Sequence, residues 1–439
     1  MRETKGWSLQ DLVNLVAARV GGAARRNKAW MWENRDVVPD WPTQVAIAAE
    51  LNIPEAQLRE LPWPNWLPAG DPIRTDYAWN QSGSFDILND LMEFGVRDRR
   101  GFMKLTGAAL VTVAHEWLRA EPAVLTAALS GGRVSNAFAD QLEAGLPRLR
   151  LLEAERGGRQ ARRLIDAELG VVTEVLTNAS YSSETGRRLM ALAAELGRMA
   201  GWASFDAGLH SAAQRYWTAA LHAAHTAQEQ ALGSNILKSM SLQCYDFEDP
   251  QQALLLAHCA YEGANAQSTP RTKAMLALRE ARAHAALGNA PACERLLSEA
   301  ETVISRSSTE LDPAWIAYFD DAEMCAQIGT CYLDLGSQRG DRSHLGRAEK
   351  YLDMALIRLP ATKTRDRATY VTRRASVQAR LGDYDRAAAL LAEAVPLVQL
   401  APSQRNVKRA RAVRARMALP RHDTRMLELD TRLAALAAA

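Results

Sequence analysis

Hydrophobic positions along most of this chain recur at intervals of three and four residues, and the strict alternation typical of strands is nearly absent. This spacing predicts amphipathic helices almost throughout, and therefore an all-α protein. Residues 61–72 carry several prolines, which lack a backbone donor and restrict the residue before them. We therefore predict a small helical unit over residues 1–62, a Pro/Trp-rich linker and helical connector over 63–160, and a helical array over 161–439.

The C-terminal half repeats one pattern of small residues five times. A small residue in a first helix is followed seven positions later by a residue that suits a helix C-terminus, glycine in four of five cases. These pairs are Gly201/Gly208, Ser241/Glu248, Ala281/Gly288, Gly329/Gly336 and Ala375/Gly382. The second helix then opens with Ala213, Ala253, Cys293, Ala348 or Ala387, in most units with a large residue four positions on. Small residues let two helices approach closely, and the large one fills the remaining gap.

The spacing resembles the tetratricopeptide repeat, most clearly over residues 381–387 (Leu-Gly-Asp-Tyr-Asp-Arg-Ala), although the units are longer than that family's. The resemblance implies an α-solenoid over 161–439, with helices at 161–178 and beyond residue 405 capping the stack. In the fourth unit we expect Gly336 to end the first helix and residues 337–345 to form an extra loop. The alternative is an irregular helical bundle.

The first sixty residues resemble the XRE-type helix-turn-helix fold. Ser8 stands as an N-cap before an amphipathic run through Leu12, Leu15 and Val16, within the Gly-x-Ser-x-x-x-Leu pattern that starts at Gly6. Further matches to the family are the Trp32-Glu33 pair that closes its recognition helix, Pro39, and the terminal segment Leu51-Asn52-Ile53. The resemblance implies that residues 25–34 form the recognition helix.

The candidate DNA-binding residues are Arg25, Arg26, Asn27 and Lys28. Arginine and asparagine can bind guanine and adenine edges, and lysine can neutralise phosphate. Residues 1–62 carry eight basic and eight acidic side chains, so their cationic character is local. The alternative interpretation of residues 25–28 is a solvated helix face. Trp30 and Trp32 are expected to pack in the core, with stacking on bases as the alternative.

The chain as a whole also resembles actinobacterial regulators that join an XRE-type helix-turn-helix to tetratricopeptide repeats, chiefly in residues 99–110, 200–208 and 213–217. The resemblance implies a cytoplasmic, dimeric transcription regulator that binds a double-stranded DNA operator. Its repeats would sense a peptide, a small molecule or a protein. The alternative function is a non-enzymatic adaptor whose repeats bind a partner protein and whose N-terminal unit does not contact DNA.

The first helices of such a stack line a concave groove, where a signal could bind. The candidate groove residues are Arg198, Trp202, Phe205, Asn235, Lys238, Tyr245 and Arg282, together with Thr330. The cations would favour a carboxylate, and the asparagine amide can pair with a bound main chain. The alternative is that these residues face solvent on an unliganded scaffold. Residues 405–421 carry seven basic and no acidic side chains; we expect a solvated capping helix there, and a contact with DNA or an acidic partner is the alternative.

Composition excludes several other classes of protein. The net charge is +2, and the five cysteines include no CxxC pair, as expected in a reducing cytoplasm. No apolar run is long enough to span a bilayer, so we expect no membrane association. The phosphate-loop, GxGxxG, HExxH and GxSxG motifs are absent. We therefore expect no enzyme activity, no cofactor and no metal, and we interpret His222 and His225 as helix residues without the partners of a metal site.

Overall fold

The computed structural model describes residues 8–21, 26–34, 37–51, 53, 55, 58, 63, 73–94, 105, 108–123, 125–127, 131–156, 158–264, 268–305, 312–417 and 424–436. Regular structure in these ranges is helical, apart from one isolated bridge between Arg133 and Ser180. The prediction of an all-α protein is therefore confirmed. The chain divides into two compact units, residues 1–76 with 97–105 and residues 77–96 with 106–439.

The small unit contains the helices α1 (Leu9–Val20), α2 (Arg26–Asn34) and α3 (Trp41–Glu50). The Ser8 side chain accepts a hydrogen bond from the backbone N–H of Asp11 at 3.1 Å, and the Ser8 backbone N–H donates to the Asp11 carboxylate at 2.7 Å. This reciprocal capping box confirms Ser8 as the N-cap of α1. Asp40 caps α3 by accepting from the Thr43 backbone N–H at 3.0 Å.

The core of the small unit is built mainly by α1 and α3. Its buried members are Leu12, Val13, Val16, Ala29, Ala46, Ile47, Ala48 and Leu58. Helix α2 contributes Ala29, which is fully buried, and Trp32, which packs against the cluster while partly exposed. Among the other described side chains of α2, those of Asn27, Lys28 and Trp30 are exposed and that of Met31 is partly exposed.

The larger unit begins with four helices: α4 (Gln81–Phe94), α5 (Ala108–Arg119), α6 (Asn136–Arg156) and α7 (Gly158–Asn178). Five hairpins follow: α8 (Ser183–Asp206) with α9 (His210–Ala227), α10 (Gln230–Cys244) with α11 (Pro250–Glu262), α12 (Pro270–Ala286) with α13 (Ala290–Ser305), α14 (Asp321–Arg339) with α15 (Arg342–Arg358), and α16 (Thr364–Leu381) with α17 (Tyr384–Leu400). The last two helices are α18 (Gln404–Arg416) and α19 (Thr424–Ala435).

Each hairpin packs against the next, so the array is a stack in which every layer contacts its neighbours. Helix α7 lies against α8 at the start of the stack. Helices α4 and α5 of the segment predicted as a connector pack on the second helices α9 and α11, whereas α6 of the same segment packs against α7 and α8. Within the described part of the chain, no helix is both long and apolar enough to cross a bilayer.

The turn residues inferred from the repeat pattern behave as expected in four units and differently in one. Gly208, Gly288 and Gly382 adopt φ values of +79°, +75° and +86°, and Glu248 adopts φ +57° without being glycine. The prediction for Gly336 is wrong, because α14 continues to Arg339 and ends at Gly340 with φ +64°.

The inserted residues of the fourth unit therefore extend helices and do not form the loop expected over residues 337–345. The Asp341 carboxylate accepts the Ser343 backbone N–H at 2.8 Å and starts α15 directly after the turn. Gly336 serves packing: a Cβ there would lie 2.8 Å from the Leu345 side chain.

The small-to-large contact predicted within each hairpin is clearest between Gly201 and Trp217. Trp217 is fully buried, and a Cβ on Gly201 would lie 2.4 Å from its indole ring. Gly329 approaches Leu352 in the same manner, with a separation of 3.0 Å. These two pairs confirm that the small residues of the repeat allow the two helices of a hairpin to approach closely.

We expect Gly201→Ala to lower the free energy of unfolding by about 1–3 kcal/mol, because the added methyl overpacks the Trp217 contact. Gly346→Ala is the matched control, since Gly346 lies inside α15 with open space around its Cα and should gain about 0.5–1 kcal/mol in helix propensity. Urea unfolding of both variants measures the difference. Equal stability of the two variants would contradict the close approach at Gly201.

His222 on α9 is buried beneath Trp79, with the two rings stacked at a centroid separation of 3.8 Å. Burial lowers the pKa of His222 to about 3, and the nearby His225 adds to the shift. The unfolded chain therefore binds a proton below pH 6.5 that the folded chain does not bind until pH is near 3. Stability attributable to neutral His222 is present above pH 6.5 and declines as pH falls.

We expect the wild type to lose about 2 kcal/mol more than His222→Gln between pH 6.5 and pH 4.5, because the slope approaches 1.4 kcal/mol per pH unit. Urea titrations at the two pH values, with unfolding followed by circular dichroism, provide the measurement. If both proteins lose the same stability, His222 takes up its proton in the folded state over this pH range, and the lowered pKa of His222 is wrong.

Candidate functional site

The predicted groove residues lie on, or directly after, the first helices of successive hairpins. Arg198, Trp202 and Phe205 belong to α8, Asn235 and Lys238 to α10, Arg282 to α12 and Thr330 to α14, while Tyr245 starts a short 3-10 helix after α10. We call α8, α10, α12, α14, α16 and α18 the inner helices; each contacts the next along the stack.

The inner helices close into a ring, because the end of the stack contacts its beginning. Ser403, the N-cap of α18, donates its hydroxyl hydrogen to Asp206 at the end of α8 at 2.8 Å. Arg365 of α16 forms an ion pair of 2.6 Å with Glu153 of α6. Lys408 of α18 donates to the backbone carbonyl of Asp246 at 3.0 Å. These contacts join residues that are 162–212 positions apart in the sequence.

Lys238 lies on the ring with only 4% of its surface exposed. Its ammonium group donates to the Tyr318 hydroxyl at 2.5 Å, and the Tyr318 hydroxyl in turn donates to the Asn235 side-chain oxygen at 3.2 Å. Burial lowers the pKa of Lys238 well below its ordinary value, and the positive charges of Arg279 and Arg198 lower it further. Tyr318 is 37% exposed, so the lysine lies close to accessible surface.

Arg279 occupies the next inner helix and is 5% exposed. Burial lowers the pKa of its guanidinium to about 10, and the positive charge of Arg282 is the second-largest cause. The Arg282 guanidinium lies 4.2 Å above the Tyr245 ring and 3.1 Å from the Asp334 carboxylate. Arg282 is therefore paired, whereas Arg279 has no carboxylate within 4 Å among the described residues.

Three further arginines lie on the inner helices α16 and α18. Burial lowers the pKa values of Arg373, Arg405 and Arg409, and Arg405 is the largest additional cause at Arg409. The Arg405 guanidinium lies 4.5 Å from the centroid of Phe205 and 4.9 Å from that of Trp202. The basic run of residues 405–421 was expected to form a solvated capping helix. This expectation is wrong for Arg405 of α18, whose side chain is only 10% exposed, because ring closure packs that face of α18 against α8.

Cations outnumber their carboxylate partners on the ring. Arg198 lies 3.7 Å from Glu195, and Arg405 lies 3.8 Å from Asp206. No carboxylate of the described residues lies within 4 Å of the charged groups of Lys238, Arg279, Arg373 and Arg409. Glu323 is the acid that most widely influences these cations, and it also accepts a hydrogen bond from Tyr370. The ring therefore presents a local positive surplus within a chain of net charge +2.

Several predicted groove residues are core residues as well. Phe205 and Asn235 are fully buried; Phe205 packs against Trp202, Trp217 and Arg405 and presents no free surface. Phe205 is therefore a buried core residue of α8 and not an exposed contact. Thr330 is also buried, with its hydroxyl donating to the Ala326 carbonyl at 2.6 Å.

The sequence prediction missed Arg279, Tyr318, Arg373 and Arg409 as ring residues. Arg279 stands three positions before the predicted Arg282, so helical spacing could have found it. Arg373 stands two positions before Ala375, as Arg279 does before Ala281, so the repeat spacing could have found it as well. Tyr318 and Arg409 carry no such signal, because they reach the ring through the segment before α14 and through ring closure.

The described part of the predicted DNA-binding segment faces solvent. Asn27 and Lys28 are exposed on the first turn of α2, next to the buried Ala29. Arg26 begins the helix, and its side chain, like Arg25 altogether, lies outside the described residues. Trp32 packs on the core as expected, whereas Trp30 retains 39% of its surface exposed.

A depression of about 690 Å³ lies between Trp79 and α5, and His115, Glu116 and Arg119 contribute to its wall. It contains both charge signs and none of the predicted groove residues. Among the described residues there is no group of three His, Cys, Asp or Glu side chains placed to hold a metal ion, and the five cysteines are buried and free.

Comparison of the chain with protein-family models, curated proteins and solved structures found no match. Any functional assignment therefore rests on the residues of the two units alone.

We expect Lys238→Met to raise the free energy of unfolding at pH 7 by about 1–4 kcal/mol, since methionine fills a similar volume without a buried charge. The unfolded chain holds the lysine proton up to about pH 10.5, whereas the folded chain releases it at lower pH. Wild-type stability should thus rise toward that of Lys238→Met as pH increases from 7 to 10. Chemical denaturation at the two pH values measures the gap, and a gap that widens with pH would contradict the assignment.

Proposed function

We propose that this chain is a DNA-binding transcription regulator with a helix-turn-helix head over residues 1–62 and a tetratricopeptide-like solenoid that senses a ligand. The observation that carries the first part of the proposal is the arrangement of α2. Its first turn exposes Asn27 and Lys28 while Ala29 and Trp32 hold the helix on α1 and α3. A recognition helix needs the same division between a polar N-terminal face and an apolar anchor.

The chemistry of α2 suits a DNA groove. An asparagine can pair bidentately with an adenine edge, and a lysine neutralises a backbone phosphate. The positive end of the helix dipole lies at the same N-terminal turn and favours phosphate as well. Arg25 and Arg26 would add two cations beside them. In a dimer, two such helices would read two half-sites, with a spacing set by the solenoids.

The sensing role rests on the positive surplus of the ring. Buried cations without carboxylate partners destabilise a fold, so their presence is more readily explained by a ligand than by stability. A ligand that bound the ring would also contact helices from both ends of the stack. Its binding would therefore favour one curvature of the stack over others, since small tilts between layers accumulate.

One observation favours the second candidate function, a non-enzymatic adaptor that binds a partner protein without contacting DNA. Residues 1–62 carry equal numbers of acidic and basic side chains, whereas DNA-binding units usually present a net positive surface. The adaptor would use the solenoid alone. The two functions differ in whether α2 binds a duplex.

The proposal predicts that the intact protein retards a DNA fragment from its own upstream region in a gel-shift assay at moderate salt. Asn27→Ala/Lys28→Ala should weaken the specific complex by about 1–3 kcal/mol, because one base contact and one phosphate contact are lost. The salt slope of the binding constant should fall by about 1 at the same time.

The matched control is Lys350→Ala, which removes one exposed positive charge from α15 in the larger unit. This variant should bind the fragment as the wild type does. Absence of a shift by the wild type at moderate salt, or equal weakening by the control, would favour the adaptor.

A further inference from the structure

We propose that the ring of inner helices binds a small oxyanion that carries at least two negative charges, held by Arg279 and Lys238. This inference deepens the proposed function by naming the chemistry of the sensed ligand, and it rests on that function only for the biological consequence of binding. The site lies in the larger unit, where Arg279 comes from α12 and Lys238 from α10. The Tyr318 hydroxyl joins these two helices, since it contacts the Lys238 ammonium group at 2.5 Å and the Met275 sulfur of α12 at 2.9 Å.

The unpartnered polar atoms of the ring are mostly hydrogen-bond donors. The Nε atoms of Arg198, Arg279 and Arg405 and the Nδ2 atom of Asn235 are buried without a hydrogen-bond partner in the part of the chain that the structure describes. The buried hydroxyl of Tyr245 is unpartnered in the same sense and can donate too. Native proteins leave few buried polar atoms unpaired, so a cluster of one kind indicates the complementary ligand. An oxyanion, which only accepts, is that complement.

Three acceptors on the same helices qualify this pattern without reversing it. One is the Oε2 atom of Glu280 on α12, whose Oε1 atom lies 3.2 Å from Nδ1 of His258. The Asp206 Oδ2 atom lacks a hydrogen-bond partner, but it lies 3.6 Å from the Arg365 guanidinium and is paired electrostatically. The Gln243 Oε1 atom is unpartnered, while the amide nitrogen of the same side chain donates to the His210 carbonyl at 2.9 Å.

The charge of the ligand follows from the number of uncompensated cations. Glu323 is the acid that acts on Lys238, Arg279 and Arg373 alike, and Arg279 adds positive charge near Lys238. A single carboxylate would leave most of this repulsion in place. An anion with two or more charges would offset it and could engage a guanidinium through two parallel hydrogen bonds.

The size of the ligand follows from ring closure. The pairs Ser403–Asp206 and Arg365–Glu153, together with the Lys408 contact to Asp246, hold the ends of the stack together. A polypeptide passing along the inner helices would have to break these contacts. A small anion can be bound while they stay formed, with the 37% exposed Tyr318 beside Lys238 marking a point of access.

The test is isothermal titration calorimetry of the full-length protein with pyrophosphate, citrate and acetate at constant ionic strength. Pyrophosphate or citrate should bind with 1:1 stoichiometry and acetate should not. Binding of pyrophosphate alone identifies a phosphorylated ligand, and binding of citrate alone identifies a polycarboxylate; either result supports the site. Absence of saturable binding of both at millimolar concentration, or acetate binding of equal strength, overturns it.

Variants assign the binding to the ring. Arg279→Gln should raise the Kd at least tenfold, which corresponds to about 1.4 kcal/mol. Arg187→Gln is the matched control, because Arg187 lies on α8 with its side chain exposed. Should Arg279→Gln fail to fold, Lys238→Met provides the same measurement. A Kd that changes equally in ring variant and control would place the anion elsewhere.

The gel shift with DNA is measured separately, without any anion present. Anion binding without DNA binding would leave the ring site standing and remove the regulator proposal. DNA binding without anion binding would support the regulator proposal and remove the ring site.

Discussion

The larger unit depends on one buried carboxylate, that of Asp206. It stands at the C-terminal end of α8, where the helix dipole is unfavourable to a negative charge, and it is 2% exposed. It is stabilised by contacts from the far end of the stack: the Ser403 hydroxyl at 2.8 Å, Arg365 at 3.6 Å and Arg405 at 3.8 Å. Since loss of one partner of a buried ion pair leaves the other uncompensated, each of these groups needs the ring to be closed.

Closure has a consequence for the charges that the inner helices carry. In an open stack, Arg405 and Arg409 would extend from a terminal helix into water at little electrostatic cost. In the ring, desolvation and repulsion act together on these groups: Arg405 adds to the repulsion on Lys238, and Arg405, Arg373 and Arg282 repel Arg409. Such local departures from optimal stability typically mark binding sites.

The small unit follows a different physical plan. Its three helices share a core of aliphatic side chains, and α2 joins that core through little more than Ala29 and Trp32. A short helix held by so few contacts can leave its first turn polar and exposed. The chemical character of the small unit therefore comes from local sequence. That of the ring comes from contacts between distant segments.

Prediction from sequence succeeded where the interaction is local in the chain. The capping of α1 by Ser8 spans three residues, and the contact of Gly201 with Trp217 lies within one hairpin, so helix propensity and spacing suffice to predict both. Gly336 shows the limit of the pattern, because Gly340 four residues later serves equally well as a helix end and Leu345 requires a glycine at position 336 for packing.

The amino-acid sequence by itself determined an all-helical chain, the hairpin repeat and a cationic character for several inner positions, since periodicity and turn chemistry act over a few residues. Only the tertiary structure decided that the stack closes, that Phe205 is a buried core residue and that Arg405 packs against α8 rather than extending into solvent. The physical reason is separation along the chain: contacts across about two hundred residues depend on the summed tilt of every intervening layer, which no single segment encodes.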